Sequence, residues 1–499
     1  MWLRRLYRQP LDTTLSFLRG PDRSQTQLLP PCLEDYVAPD APARFIDAYV
    51  ESLDFAALGF LRAQAAPIGR PPYHPADLTK LYLYGYLHRI RSSRRLAAEA
   101  TRNLELIWLL RSLRPDFKTI ADFRKDNRQA FKALFKNFNL LCRRLDLFGA
   151  ELVAIDGAKF KAVNNARRHY TQEQLQELVQ TIEARIAGYL QELDTQDQAA
   201  EGVAAAPTRH TLTEKITALQ ERKGRYDELL QEMTATGQTE VSLTDPDSRG
   251  QKGVGVGYNV QIAVDRKHHL VVAPDVVQDA NDRAQLSPLA QAAKAELAVA
   301  QLQAVADTGY HQADQLEACE QASITTLVPA PRTTSGQSRD GSAIYPKEDF
   351  RYDATDDAYR CPAGQTLPRQ GREERDGQPR NVYYHLTACA ACAQRAACTK
   401  GAYRKIVRRV NAAVVERAAE RVAQAPELVA LRKTIVEHVF GTLRNWGHDH
   451  FLLRGLEKVR AEFHLSCLTY NLRRVLNLVG MTALLAAVGA KAAAVGSAS

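Results

Sequence analysis

The sequence predicts an α/β protein built on a mixed sheet flanked by helices, with a helical N-terminal domain, a helical-hairpin insertion and a Cys-rich insertion. Three observations carry this. Leu152-Val153-Ala154-Ile155-Asp156-Gly157 is an apolar run ending on an acid and a glycine, the pattern of a buried strand whose last side chain leaves the core at the sheet's edge. Gln303 to Tyr310 repeats it, closing on Asp307 and Gly309. Val436-Glu437-His438 falls inside a long helical pattern, so three carboxylates can converge, and such a set suits a hard divalent cation.

At 499 residues the chain is long enough for several domains with a large core. Lys and Arg number 66 against 57 Asp and Glu, a net charge of +9, which favours a polyanionic partner. The basic residues also cluster, at His88 to Arg95 (Arg91, Arg94 and Arg95 among them), Arg143-Arg144, Arg167-Arg168, Arg404 to Arg409 and Arg473-Arg474. Any single cluster reads as a solvated helix face; five together point to a phosphate backbone. The first residues lack the apolar run of a secretory signal, and no segment reads as a membrane span, so a cytoplasmic protein is expected. Its eight cysteines are then thiols or metal ligands, not disulfides.

In chain order, residues 1–74 are Pro-punctuated and irregular apart from one amphipathic helix over Ala43 to Leu53. Residues 75–150 read as helices over Asp77 to Arg89, Arg94 to Arg111 and Thr119 to Leu145, the last opened by a capping box at Thr119. Such an Arg-rich set can place a helix in a DNA groove, with Thr119 to Arg128 as the reading helix; a packing or dimerisation domain has the same pattern. The core is assigned to 151–170 and 240–330. Between them, residues 171–239 carry apolar positions at helical spacing in two stretches, each with a capping box, at Thr171 and Thr211, predicting an antiparallel helical hairpin.

Strands follow over Gly257 to Asp265 and His269 to Asp275, then a helix from Ala284 to Leu297, the Asp307 strand, a helix from Gln312 to Ala322 and a strand from Ser323 to Pro329. Two acids closing the first and fourth strands of this order fit a ribonuclease H-like sheet. Residues 331–425 are polar and Gly/Pro-rich and hold Cys361, Cys389, Cys392 and Cys398; the spacing allows a Zn²⁺ knot of four thiolates or free thiols. Residues 426–480 return to helices, with Glu437 on the first, and 481–499 read as a flexible tail. Other acids, Asp245, Asp247, Asp265, Asp279 and Asp282, read as turn or cap residues.

The segments VAIDGAKFKAVNN, SLTDPDSRG, GVGYNVQIAVD, AVADTGYHQADQLEACEQ and KTIVEHVFGTLRNWG resemble those of DDE transposases of bacterial insertion sequences, in the branch numbered eleven-eighty-two of the group that includes the Tn-five-type enzymes. PPYHPADLTKLYLYGYLHRIRSSRRLAAEATRNLELIWLL resembles that branch's N-terminal domain, so the likeness covers most of the chain. The resemblance implies a metal triad of Asp156, Asp307 and Glu437 holding Mg²⁺ or Mn²⁺, with cleavage at the element's ends and transfer of the freed 3'-hydroxyl to target DNA. It implies terminal inverted repeats and target DNA as partners, and a homo-oligomer, a dimer in the DNA complex. The group's Tyr-x2-Arg-x3-Glu-x6-Lys signature reads Ala430, Lys433, Glu437, Arg444 here, so charge survives at Lys433 and Arg444 while the Tyr is lost. Lys159 and Lys161 beside Asp156, and Trp446 beyond Arg444, complete the DNA-facing candidates, Trp446 being open to a core role as well. Two rival functions share the residues: a catalytically silent DNA-binding derivative or repressor, and a metal-dependent nuclease without strand transfer.

Overall fold

The computed structural model describes residues 32–64, 71–164, 168–199, 206–331, 344–375 and 378–496. Its first part is helical: α1 (Pro42–Glu51), α2 (Pro75–Leu87), α3 (Ser93–Arg102), α4 (Leu104–Leu109), α5 (Phe117–Asp126) and α6 (Arg128–Arg144). Two helices expected to be continuous are broken. Asn103 ends α3 and its side chain accepts the Leu106 N–H of α4, and Asn127 separates α5 from α6. Asn competes for backbone hydrogen bonds and favours caps over helix interiors. The α5 cap is Asp116, which accepts the Lys118 and Thr119 N–H groups, so the helix starts before the capping box read at Thr119.

The main sheet comprises β1 (Leu152–Lys161), β4 (Arg249–Gln251), β5 (Gly255–Asp265), β6 (Val271–Val277), β7 (Leu302–Val305) and β8 (Ile324–Leu327), after the short β2 (His169–Thr171) and β3 (Glu240–Ser242), which pair with each other. Its order is β4-β5-β1-β7-β8, with β6 also on β5. β1 runs antiparallel to β5 and parallel to β7, and β7 parallel to β8. Strands β5 and β6 are buried along nearly their whole length and β1 through its first four residues, as expected of a sheet covered on both faces. Helices α9 (Leu286–Leu297) and α10 (Ala313–Gln321) supply the crossovers.

The hairpin is α7 (Gln172–Ala199) and α8 (Ala206–Thr236), packed through its own small core of Leu175, Val179, Ile182, Tyr226 and Met233. The Thr171 capping box forms, with reciprocal bonds to Gln174. Thr211 instead lies inside α8, which begins five residues earlier.

The Cys-rich region is not loop. It folds into a five-stranded antiparallel sheet of β9 (Arg351–Asp353), β10 (Ala358–Arg360), β11 (Thr366–Arg375), β12 (Gln378–Tyr383) and β13 (Ile406–Arg409), in the order β13-β12-β11-β10-β9, with the short α11 (Leu386–Ala390) and α12 (Arg395–Cys398). Tyr359, Tyr383, Phe350 and Ile406 form its separate core, an aromatic cluster that compensates for its Gly/Pro content.

The chain closes with α13 (Ala412–Gln424), α14 (Pro426–Asn445), α15 (Leu456–Val479) and α16 (Met481–Gly496). α15 packs on α6, α2 and β6, and is buried along most of its length. The expected tail is therefore helical: Leu484 and Val488 of α16 are buried, and α16 packs against α1. One hydrophobic core runs unbroken from Val37 in the helical part through the main sheet to Val488. At its centre Glu462 of α15 accepts from Arg91 at 2.8 Å and from the Leu452 and Leu453 N–H groups, while Arg91 also binds the Gly447 and His450 carbonyls. No single described helix is long and apolar enough to cross a membrane.

Candidate active site and DNA-facing surface

Asp156 lies midway along β1, where the strand's core-facing run gives way to half-buried positions. In the parallel register Ala154 of β1 pairs with Val305 of β7; carried two residues further, the same register sets Asp156 beside Asp307. The structure thus brings two of the three expected carboxylates side by side, Asp307 just past the end of β7 but Asp156 within β1, which runs on to Lys161 instead of ending at the acid as its sequence pattern suggested. Asp307 caps the turn Thr308–Tyr310, its Oδ1 accepting the Gly309 N–H at 2.8 Å. Asp156 Oδ1 accepts the Gly157 N–H at 2.9 Å, and Oδ2 accepts Arg432 Nη1 at 2.7 Å. Burial pushes the Asp156 carboxyl up to about 6; Arg432 and the Gly157 N–H oppose this and Asp307 adds to it.

A third carboxylate stands here that sequence reasoning assigned to a helix cap. Asp282 Oδ1 accepts from Asn259 and Gln261 at 2.7 Å each and lies 3.4 Å from Lys159 Nζ. Its approach, with that of Gln261, explains the glycine after Asp156, whereas the one after Asp307 is crowded by the Asp307 side chain itself. A Cβ on Gly157 would meet Gln261 Nε2 at 2.4 Å and Asp282 Oδ1 at 2.9 Å, and one on Gly309 would meet Asp307 Oδ1 at 3.0 Å and Asp282 Oδ2 at 4.0 Å. Beneath them the buried Tyr310 hydroxyl donates to Gln261. The signal in the sequence was the glycine directly after Asp156, which marks close approach by other side chains.

Glu437 is not gathered in. It is exposed on α14, roughly 140° round the helix from Arg432 at 3.6 residues per turn. Arg432, one residue before the signature position Lys433, is the side chain that reaches Asp156; Lys433 and Arg444 are exposed. Among the described residues no group of three or more His, Cys, Asp and Glu side chains is arranged to hold a metal as it stands. The donors at Asp156 and Asp307 nonetheless fit a hard divalent cation in kind, since such ions accept one or two carboxylates and complete their shell with water and phosphate.

The remaining candidates divide. Arg91 is buried between helical domain and sheet, which removes it from the DNA-facing set: its guanidinium is consumed by Glu462 and two carbonyls. Arg94 and Arg95 are exposed on α3, Arg94 lying 5.2 Å over the exposed Phe117 ring of α5. Lys161 is exposed at the end of β1. Trp446 is buried against His448, which makes it a core residue. Asp245 and Asp247 accept the Gly455 and Leu456 N–H groups and so hold the start of α15; Asp265 accepts from Gly149, Ala150 and Lys267 and ties the β5 turn.

Cys361, Cys389, Cys392 and Cys398 line one small apolar cavity of about 20 Å³ in the Cys-rich sheet. Burial pushes the Cys398 thiol up, and the other three cysteines, all close by, add to that. Four sulfurs are a donor set of the kind Zn²⁺ takes, but they too are not arranged to hold an ion as they stand.

A mixed sheet with two acids side by side on adjacent parallel strands is a candidate site for a divalent cation. Comparison with known families narrows this: residues 31–126 match a model described as a transposase domain (DUF772), and residues 360–476 one described as a transposase DDE domain. The two matches support a DNA transposase of the DDE, insertion-sequence type. No curated protein matches. Among solved structures, a piggyBac transposase synaptic complex with hairpin DNA aligns over 89% of this chain and 84% of that one, at 8% identity and a TM-score of 0.23, too loose a superposition to bear on the fold.

Proposed function

We propose that the chain cuts phosphodiester bonds at the ends of an insertion sequence and joins the 3'-hydroxyl ends to target DNA, on a ribonuclease H-like sheet. The observation that carries the reading is the juxtaposition of Asp156 and Asp307 on parallel strands β1 and β7, supported by the family matches at both ends of the chain. The strand order β6-β5-β1-β7-β8, antiparallel on one side of β1 and parallel on the other, supports the ribonuclease H-like assignment.

In this reading Asp156 and Asp307 hold Mg²⁺ or Mn²⁺, with Glu437 joining them once DNA draws α14 inward. Two such ions would activate the attacking oxygen and stabilise the leaving one in an in-line displacement. Arg432 keeps Asp156 charge-compensated beforehand and is released toward a phosphate, for which its guanidinium is suited. Lys159, held by Asp282, presents a second cation on the same strand. The protein would work in the cytoplasm on DNA, as a homo-oligomer that holds both element ends. The four cysteines would hold a Zn²⁺ that closes the insert.

The test is incubation with labelled DNA carrying the flanking terminal repeats in Mg²⁺ or Mn²⁺, beside Asp156→Ala and Glu437→Gln. Strand-specific cuts followed by joined products, lost in both variants, would support the reading. Cuts without joining would leave a nuclease, and binding without cutting in either metal would leave a silent DNA-binding derivative.

A further inference from the structure

Strand β5 carries two amides where a core strand has no need of them. Asn259 and Gln261 are buried along with Tyr258, Val260 and Ile262, and being two residues apart they share one face of the sheet. A buried amide is costly unless its polar atoms are matched. On the neighbouring strand Asn259 stands opposite Lys159, and Gln261 opposite Gly157, the residue after Asp156.

Both amides are matched, and by the same few groups. Gln261 Nε2 donates to Asp282 Oδ1 at 2.7 Å and to Asn259 Oδ1 at 2.9 Å, and Asn259 Nδ2 donates to Asp282 Oδ1 at 2.7 Å. Gln261 Oε1 accepts the Tyr310 hydroxyl. Tyr310 is fully buried and closes the turn that Asp307 caps. Burial holds its hydroxyl well above the ordinary range, and the Asp282, Asp156 and Asp307 carboxylates add to this, so it stays a donor.

The contacts therefore run from one acid-bearing strand to the other. At one end Asp282 and Gln261 fill the place where a Gly157 side chain would stand, and the Gly157 N–H holds Asp156 Oδ1 at 2.9 Å. At the other end Tyr310 anchors the turn in which the Gly309 N–H holds Asp307 Oδ1 at 2.8 Å. The ladder between β1 and β7 ends at Ala154 and Val305, two residues short of both acids, so backbone pairing does not fix their separation.

We infer that Tyr310, Gln261 and Asp282 are positioning residues, a relay across one face of the sheet that sets the spacing of the Asp156 and Asp307 carboxylates. They act through Gly157 and through the Asp307 turn. The relay rests on the transposase reading for the reaction it serves, and not for the spacing itself.

The experiment uses the full chain as Tyr310→Phe, which keeps the ring and removes the donor, and as Asp282→Asn, which keeps the shape and removes the charge. Hydrogen exchange is followed by mass spectrometry without DNA or metal, over peptides spanning 152–161 and 302–312 and, as reference, 172–190 in the helical hairpin. Both variants are expected to exchange faster over the first two peptides and like the parent over the third. With DNA carrying the terminal repeats and Mg²⁺, kcat is expected to fall about 10- to 100-fold at an unchanged KM for DNA. Exchange like the parent's over both peptides overturns the inference, as does an unchanged kcat in a chain that cuts. If Tyr310→Phe does not fold, Asp282→Asn, on a partly exposed side chain, decides the matter by the same readings. Altered exchange in a protein that never cuts DNA keeps the relay and removes the transposase reading. Cleavage with both variants indistinguishable from the parent does the reverse.

Discussion

Asp156→Asn should stabilise the metal-free protein, and by an amount that depends on pH in a defined way. Burial raises the folded carboxyl to about 6 from an ordinary 3.8, a shift of about 2 units, or roughly 3 kcal/mol at 1.36 kcal/mol per unit. A raised pKa means that the folded protein binds the proton more tightly than the unfolded chain does. Ionising Asp156 therefore destabilises the fold. The penalty is absent below the unfolded value, grows between about 3.8 and 6, and is complete above 6. Asn resembles the protonated acid and does not titrate, so any constant offset between the two side chains cancels when one pH is compared with another. The stability of Asp156→Asn relative to the parent should rise by about 2 kcal/mol between pH 4.5 and 7.5. The assay is urea unfolding in EDTA followed by tryptophan fluorescence, with Trp446 reporting from the end of the helix that carries Arg432. A difference that stays flat with pH, or that shrinks as pH rises, would refute the burial argument and show that Arg432 fully compensates the carboxylate.

Three further outcomes are expected. Glu462→Ala leaves the Arg91 guanidinium buried without its carboxylate, and should lower stability by about 3 to 5 kcal/mol, read as an early melt of helical domain and sheet together. Gly157→Ala drives a Cβ against Gln261 and Asp282 and should lower stability by about 1 to 3 kcal/mol; Gly309→Ala, whose nearest contact is longer, should be milder, and the reverse order would show that Asp282 does not set the packing. Cys389→Ser should reduce bound zinc, measured by elemental analysis of protein purified without chelator, from one per chain to near none, and a parent already devoid of zinc refutes the knot.

The sheet was legible because its strands carry the simplest signal a sequence has, apolar runs closed by an acid and glycine. Asp156 and Asp307 therefore emerge from local pattern alone. Asp282 did not, because its role comes from a long-range approach to Gly157 that no spacing records; only that glycine hinted at it. Arg91 was misjudged for the complementary reason. A basic cluster looks solvent-facing until a buried acid 371 residues away is known to receive one of its members. The Cys-rich insert concealed its strands because short, Arg-rich antiparallel segments built around a few aromatics lack a clean alternation. The α16 helix was hidden by an Ala-rich composition that looks unstructured until α1 is there to pack on it.

That contact between the first helix and the last has a consequence for how the molecule is made. During synthesis at about 5 to 20 residues per second, α1 leaves the ribosome tens of seconds before α16, its packing partner, exists. Arg91 likewise waits for Glu462. The N-terminal helices must spend that interval with apolar faces uncovered, exposed to chaperones and to one another on neighbouring nascent chains. A message cut short before α15 yields a fragment without the helix that packs on α2, α6 and β6.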